Sequence, residues 1–148
     1  MDGRRAGPGR APPMGRAALL ACWAAVLAGS GVCSGPAQAD EDGQRVFRLC
    51  AACHEIGSAA RINIGPPLNG IVGRVMASYP GYEYSDNFAL WRVRAEVWTQ
   101  DQLDRWLQNP LAMIPRTKML FPGLKKKEQR DAVIAYLARF DSLGRPPP

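Results

Sequence analysis

Apolar side chains recur at helical spacing in three stretches of this chain. Residues 42–52 carry Val46, Phe47 and Cys50 on one face, which predicts a first helix. Thr99-Gln100-Asp101-Gln102 reads as a capping box that opens a second, with Leu103, Trp106 and Leu107 on one side. Asn109-Pro110 stops it, because a residue before proline is pushed out of the α region. From Lys125 onward, Val133, Tyr136, Leu137 and Phe140 stand at i, i+3, i+4 and i+7, the stripe of a terminal helix. Residues 55–82 are rich in Gly and Pro and hold no period; compact domains keep loops of that length for function. No stretch alternates as a strand does. The pattern predicts an all-α fold.

The first 39 residues obey a different rule. Arg4, Arg5, Arg10 and Arg16 make a positive region, and residues 17–32 are almost wholly apolar or small. Ala37-Gln38-Ala39 is a small-x-small cleavage site before the acidic Asp40-Glu41-Asp42. The stretch reads as a secretory signal peptide, residues 1–39, cleaved after Ala39, with one domain over residues 40–148. Its apolar core is short for a spanning helix of about 20 residues. An uncleaved leader would act as an anchor, and a start at Met14 would leave a tighter signal. Cys33 after Gly31-Val32 is a poor lipoprotein site.

Cleavage changes the charge. The leader holds four arginines and one aspartate, so half of the formal +6 leaves with it. The remaining +3 is too small and too scattered for nucleic-acid binding, which needs a clustered basic footprint. A domain of that length has a modest core of its own, and a buried cofactor would enlarge it.

The chemistry sits at Cys50-Ala51-Ala52-Cys53-His54. Two thiols three apart with an imidazole behind the second is the attachment signature of a c-type haem. Each thiol adds across a porphyrin vinyl group, and His54, the chain's one histidine, then meets the iron from one face. A thioredoxin-type redox pair would want a βαβ context, which is missing, and a structural zinc site would want four ligands. Cys22 and Cys33 lie in the leader, so no disulfide is expected after cleavage. The sixth iron ligand must be methionine or solvent. Met76, Met113 and Met119 are the choices outside the leader, and Met119 lies in a non-helical stretch from which a side chain can point inward.

From His54 onward the chain resembles the class I cytochromes c, of the mitochondrial and bacterial c/c2 type. Gly65-Pro66-Pro67-Leu68-Asn69-Gly70, with Gly73-Arg74 behind it, is similar to that family's Gly-Pro-x-Leu-x-Gly segment. Pro80-Gly81-Tyr82-Glu83-Tyr84-Ser85 is similar to its Pro-Gly-x-x-Tyr turn. Residues 109–123 resemble its methionine loop, and Ile134-Ala135-Tyr136-Leu137 its terminal helix. The resemblance implies a small single-domain fold wrapped around one covalently bound haem c, with His54 and Met119 as axial ligands. It implies that Pro66 orients His54, that Thr117 and Ile114 close the methionine side, and that Arg74, Tyr84 and Trp98 meet the inner propionate. It further implies that Phe121 shields the haem edge and that Gly43 lets the first and last helices cross closely near Tyr136.

This chain also departs from the resemblance. The span from Tyr84 to Trp98 is about three residues longer than the common mitochondrial form, which leaves the partner of Asn87 open and makes Trp91 a candidate exposed aromatic. The basic ring expected around the haem edge is partial: Arg48, Lys118, Lys125, Lys126 and Lys127 are present, while Leu49, Leu111 and Ala112 stand where charge is common. The expected function is one-electron shuttling in the periplasm between respiratory or other redox complexes. Partners would dock at the haem edge through Lys118, Lys125, Lys126 and Lys127, with no small-molecule substrate, no nucleic acid, and membrane contact only through an uncleaved leader. The rival readings are a haem subunit dedicated to one dehydrogenase or oxidase, and a peroxidase-like enzyme with an open iron site.

Overall fold

The computed structural model describes residues 36–146, with side chains from residue 40. The predicted leader, with Cys22, Cys33 and the two candidate starts, lies outside the described residues except for the backbone of 36–39. The described chain belongs to one compact unit, Ser34–Pro148. It forms five helices: α1 Pro36–Phe47, α2 Asp86–Val93, α3 Gln100–Gln108, α4 Pro110–Met113 and α5 Lys127–Ala138. The one β-type pairing among the described residues is an isolated bridge, Val75 to Val97. The all-α class stands.

α1 and α5 cross at Gly43. A Cβ there would meet Ala132 O and Tyr136 Cβ at 2.5 Å, so only glycine permits this approach. Phe47 and Tyr136 close one end of the crossing with ring centroids 5.6 Å apart, and Arg139 pairs with Asp40 at 2.5 Å. Val133 and Leu137 of α5 and Leu103, Trp106 and Leu107 of α3 are buried in one core, as their spacing predicts.

The limits of the first helix and the cap of the second differ from the sequence reading. The first helix ends at Phe47 rather than at residue 52, and the chain tightens into turns in which Leu49 N bonds Val46 O and Cys50 N bonds Phe47 O. Side chains three apart stay on one side through such turns, so apolar spacing could not mark the change. The capping box is half-formed. Thr99 Oγ1 accepts from Gln102 N at 3.1 Å, but the Gln102 amide turns to Glu96 Oε2 at 3.2 Å instead of returning. After Asn109 the chain restarts at once as α4, with Asn109 Oδ1 accepting from Ala112 N at 3.3 Å.

Helix α2 was not anticipated. It turns Phe88 inward while Leu90 and Val93 face solvent, so its apolar residues ring the helix and leave no one-sided stripe. Trp91, the candidate exposed aromatic, is half-buried against the core with the Arg94 guanidinium 5.9 Å from its ring centroid. Asn87 also finds its partner: Nδ2 donates to Pro115 O at 2.8 Å.

Candidate haem site

The turn that follows α1 sets the site. Cys53 N and His54 N both bond Cys50 O, at 3.0 and 2.9 Å, and wind the two thiols and the imidazole toward a single cavity. The loop after it is stitched back to this turn by Gly65 N to Cys53 O (2.8 Å) and Leu68 N to Glu55 O (3.0 Å). That brings Pro66 O within 2.7 Å of His54 Nδ1. With Nδ1–H donating to this carbonyl, Nε2 keeps its lone pair for a ligand. Burial lowers the His54 pKa, outweighing the Pro66 bond that raises it, and the neutral ring is the form a metal needs. Gly65 lies so close to this imidazole that any Cβ would overlap the ring.

The cavity has a volume of about 410 Å³, within the range of cofactor pockets. Its walls are mostly apolar, drawn from α3 (Leu103, Trp106, Leu107), α5 (Val133, Leu137) and the aromatic group of Tyr82, Tyr84, Phe88 and Trp98. The rings interlock: Tyr84 lies 4.8 Å from Tyr82 and 5.2 Å from Phe88, and Phe88 lies 5.2 Å from Trp106. Burial and the neighbouring Cys53 push the Cys50 thiol up to about 11, so the thiol is uncharged.

Ten of the residues singled out in the sequence border this one cavity: Cys50, Cys53, His54, Pro66, Arg74, Tyr84, Trp98, Thr117, Met119 and Phe121. Arg74 is half-buried, donating from Nη1 to Pro67 O (3.0 Å) and Asn69 O (3.1 Å) and lying over the Tyr79 ring. Tyr84 OH accepts from Tyr79 N at 3.3 Å, and Thr117 Oγ1 accepts from Met119 N at 3.3 Å. Ile114, expected to close the methionine side, is buried behind the wall and does not line it. Met76 is fully buried in the core and Met113 packs against it, both away from the cavity. Lys118 lines the rim, whereas Lys125, Lys126 and Lys127 lie off it.

Sequence reasoning missed Ser85. Its Oγ is buried, lacks a protein partner and belongs to a residue of the cavity wall. A buried hydroxyl without a partner is costly unless a bound group satisfies it. The available signal was its place directly behind Tyr84. Apolar walls, two thiols, a neutral imidazole, a half-buried guanidinium and this orphaned hydroxyl together fit a flat hydrophobic ring with acidic tails.

Comparison with known proteins agrees. The family model described as Cytochrome c matches residues 41–140. The chain belongs to the class I cytochromes c. Cytochrome c2 of Afifella marina is 45% identical over 106 residues, covering 72% of this chain and 86% of that protein. Cytochrome c-554 of Methylosinus trichosporium is 40% identical over 121 residues, covering 82% and 87%. Among solved structures, cytochrome c2 from Rhodospirillum centenum superposes with a TM-score of 0.65 at 29% identity, over 69% of this chain and 98% of that one. This cytochrome c carries one covalently attached haem c, for which Cys50 and Cys53 stand in the fitting motif, and it is an electron-transfer protein, not an enzyme.

Proposed function

We propose that His54 and Met119 are the two axial ligands of the haem iron and that the protein is an exported one-electron shuttle. The observation that carries this is selective placement: of the three methionines among the described residues, Met119 alone shares the cavity with His54. Bound there, the haem supplies a reversible one-electron couple, and a thioether opposite a neutral imidazole favours the reduced iron. The chain's own residues do the rest. Pro66 O holds the His54 ring in one orientation, and Thr117 Oγ1 takes the Met119 amide and so sets the thioether's approach. Arg74, Tyr84, Trp98 and Ser85 supply the polar side of the pocket, suited to propionates. Phe121, half-buried at the rim, keeps water from the edge.

Docking at that rim mixes apolar and cationic contact. Leu49, Ile64 and Leu120 border the cavity and are 58%, 69% and 90% exposed. Lys118 Nζ donates to Glu83 O (2.9 Å), Lys125 Nζ to Gln108 O (3.3 Å), and Lys127 pairs with Asp131 at 2.7 Å. One partly compensated lysine at an apolar rim, with the other two off it, favours a redox partner with few carboxylates and a shallow salt dependence. Export follows from cleavage after Ala39, which would start α1 at Asp40-Glu41-Asp42 and put three carboxylates at the positive end of the helix dipole.

The ferric optical spectrum tests the ligation. A long-wavelength iron–sulfur band is expected in the wild type, lost in Met119→Leu and kept in Met76→Leu and Met113→Leu. A high-spin wild-type spectrum would overturn the reading.

A further inference from the structure

The segment that carries Met119 has almost no backbone support. Residues 118–123 lie outside the helices, and the one backbone amide they tie down is that of Met119, on the Thr117 side chain. No backbone–backbone hydrogen bond starts or ends within those six residues. Where such a segment rejoins the fold therefore decides how firmly Met119 is held. On the exit side the chain rejoins at Leu124, which is buried and donates its amide to Leu107 O at 2.7 Å.

That junction is gripped by a buried cation. Arg130 of α5 is 5% exposed, and its Nη1 donates to Leu124 O at 2.9 Å and to Lys125 O at 3.2 Å. Its Nε donates to Asp104 Oδ1 of α3 at 2.7 Å, with Nη2 3.5 Å from Oδ2. The planar guanidinium suits this double task, since its fork meets a carboxylate on one side and carbonyls on the other. The Asp104 side chain remains 28% exposed, so water can reach that end of the pair. The carbonyl end has no such relief: without Arg130, the buried Leu124 carbonyl would need another donor.

We propose that Arg130 is a positioning residue for the iron's methionine ligand: it fixes the exit of the Met119 segment to α5, and Asp104 serves to orient the guanidinium. The inference rests on Met119 being the ligand. A looser exit raises the fraction of molecules in which the thioether is off the iron, and an added ligand binds in proportion to that fraction.

The experiment titrates ferric holoprotein with imidazole and follows binding optically, for wild type, Arg130→Gln, Asp104→Asn and Met119→Leu. Imidazole is expected to bind R130Q about tenfold more tightly than wild type, equivalent to ~1.4 kcal/mol, and D104N within threefold of wild type. A change of threefold or less in R130Q overturns the proposal. So does an equal change in D104N, which would trace the effect to the α3–α5 ion pair. If M119L leaves both imidazole affinity and the long-wavelength band unaltered, the ligation reading itself fails. Should R130Q not accumulate as folded holoprotein, amide exchange in the wild type decides. The Leu124 amide must exchange with the slow amides of α5, and exchange of Leu124 together with Met119 refutes the anchor.

Discussion

Replacing Gly43 with alanine sets two effects of opposite sign against each other. Glycine inside a helix costs about 1 kcal/mol relative to alanine, so helix propensity alone makes Gly43→Ala stabilising. The tertiary structure says otherwise. The new methyl would sit 2.5 Å from Ala132 O and from Tyr136 Cβ, and 3.2 Å from Ala132 C. Carbon contacts are comfortable at about 3.5–4.0 Å, so α1 and α5 must separate by roughly 1 Å. Two of the three neighbours are backbone atoms of α5 and cannot swing aside. Overpacking costs about 1–3 kcal/mol, and a rigid neighbour puts this site at the upper end. The net expectation is a loss of about 2 kcal/mol. Guanidinium unfolding of the ferric holoprotein, followed by far-UV circular dichroism, should show a lower midpoint at unchanged slope. Gly43 does not border the haem cavity, so the optical spectrum should stay as in the wild type. A G43A protein as stable as wild type, or more so, refutes the reasoning.

Ser85→Ala separates a satisfied hydroxyl from a wasted one. If a haem propionate meets Ser85 Oγ, the variant loses about 1 kcal/mol of holoprotein stability in urea; a neutral or stabilising change means the hydroxyl stays unpaired. Asp141 accepts from the amides of Arg145 and Leu143 and from Arg145 Nε, and these bonds lower its pKa below 3.8. A lowered carboxylate pKa contributes stability that is whole above pH 3.8 and fades as pH falls through the folded value. Wild type should therefore exceed Asp141→Asn in urea midpoint near neutrality and converge with it in acid; a gap independent of pH refutes this. Intact-mass measurement of exported protein should find a chain that begins at Asp40 and carries one haem, and retention of residues 1–39 would point to an anchor.

Much of the site is readable without coordinates because haem attachment is local. Cys50, Cys53 and His54 fall within one turn, so their spacing alone limits where a porphyrin can bind. The α3 and α5 stripes are legible for a similar reason, as each buries one side against a single core. Helix α2 escaped because Leu90 and Val93 are exposed opposite buried Phe88, which erases the amphipathic period. Ser85 escaped because a serine after a turn tyrosine looks like an ordinary helix cap until its hydroxyl is found buried and unpaired.

The amino-acid sequence by itself determined the covalent chemistry, the all-α class and three helical stripes, because each depends on residues within a few positions of one another. Which methionine shares a cavity with His54 depends on distances across the fold, as does the burial of Arg130. The run around Met119 is non-helical and resembles a methionine loop, but no local pattern places its side chain on a cavity wall, and Lys125-Lys126-Lys127 looks a more prominent charge feature than the arginine behind it. Only the packing of α1, α3 and α5 decides these placements. It closed the core over Met76 and left Met119 on the cavity wall, and it buried one guanidinium where unsupported backbone needed a donor.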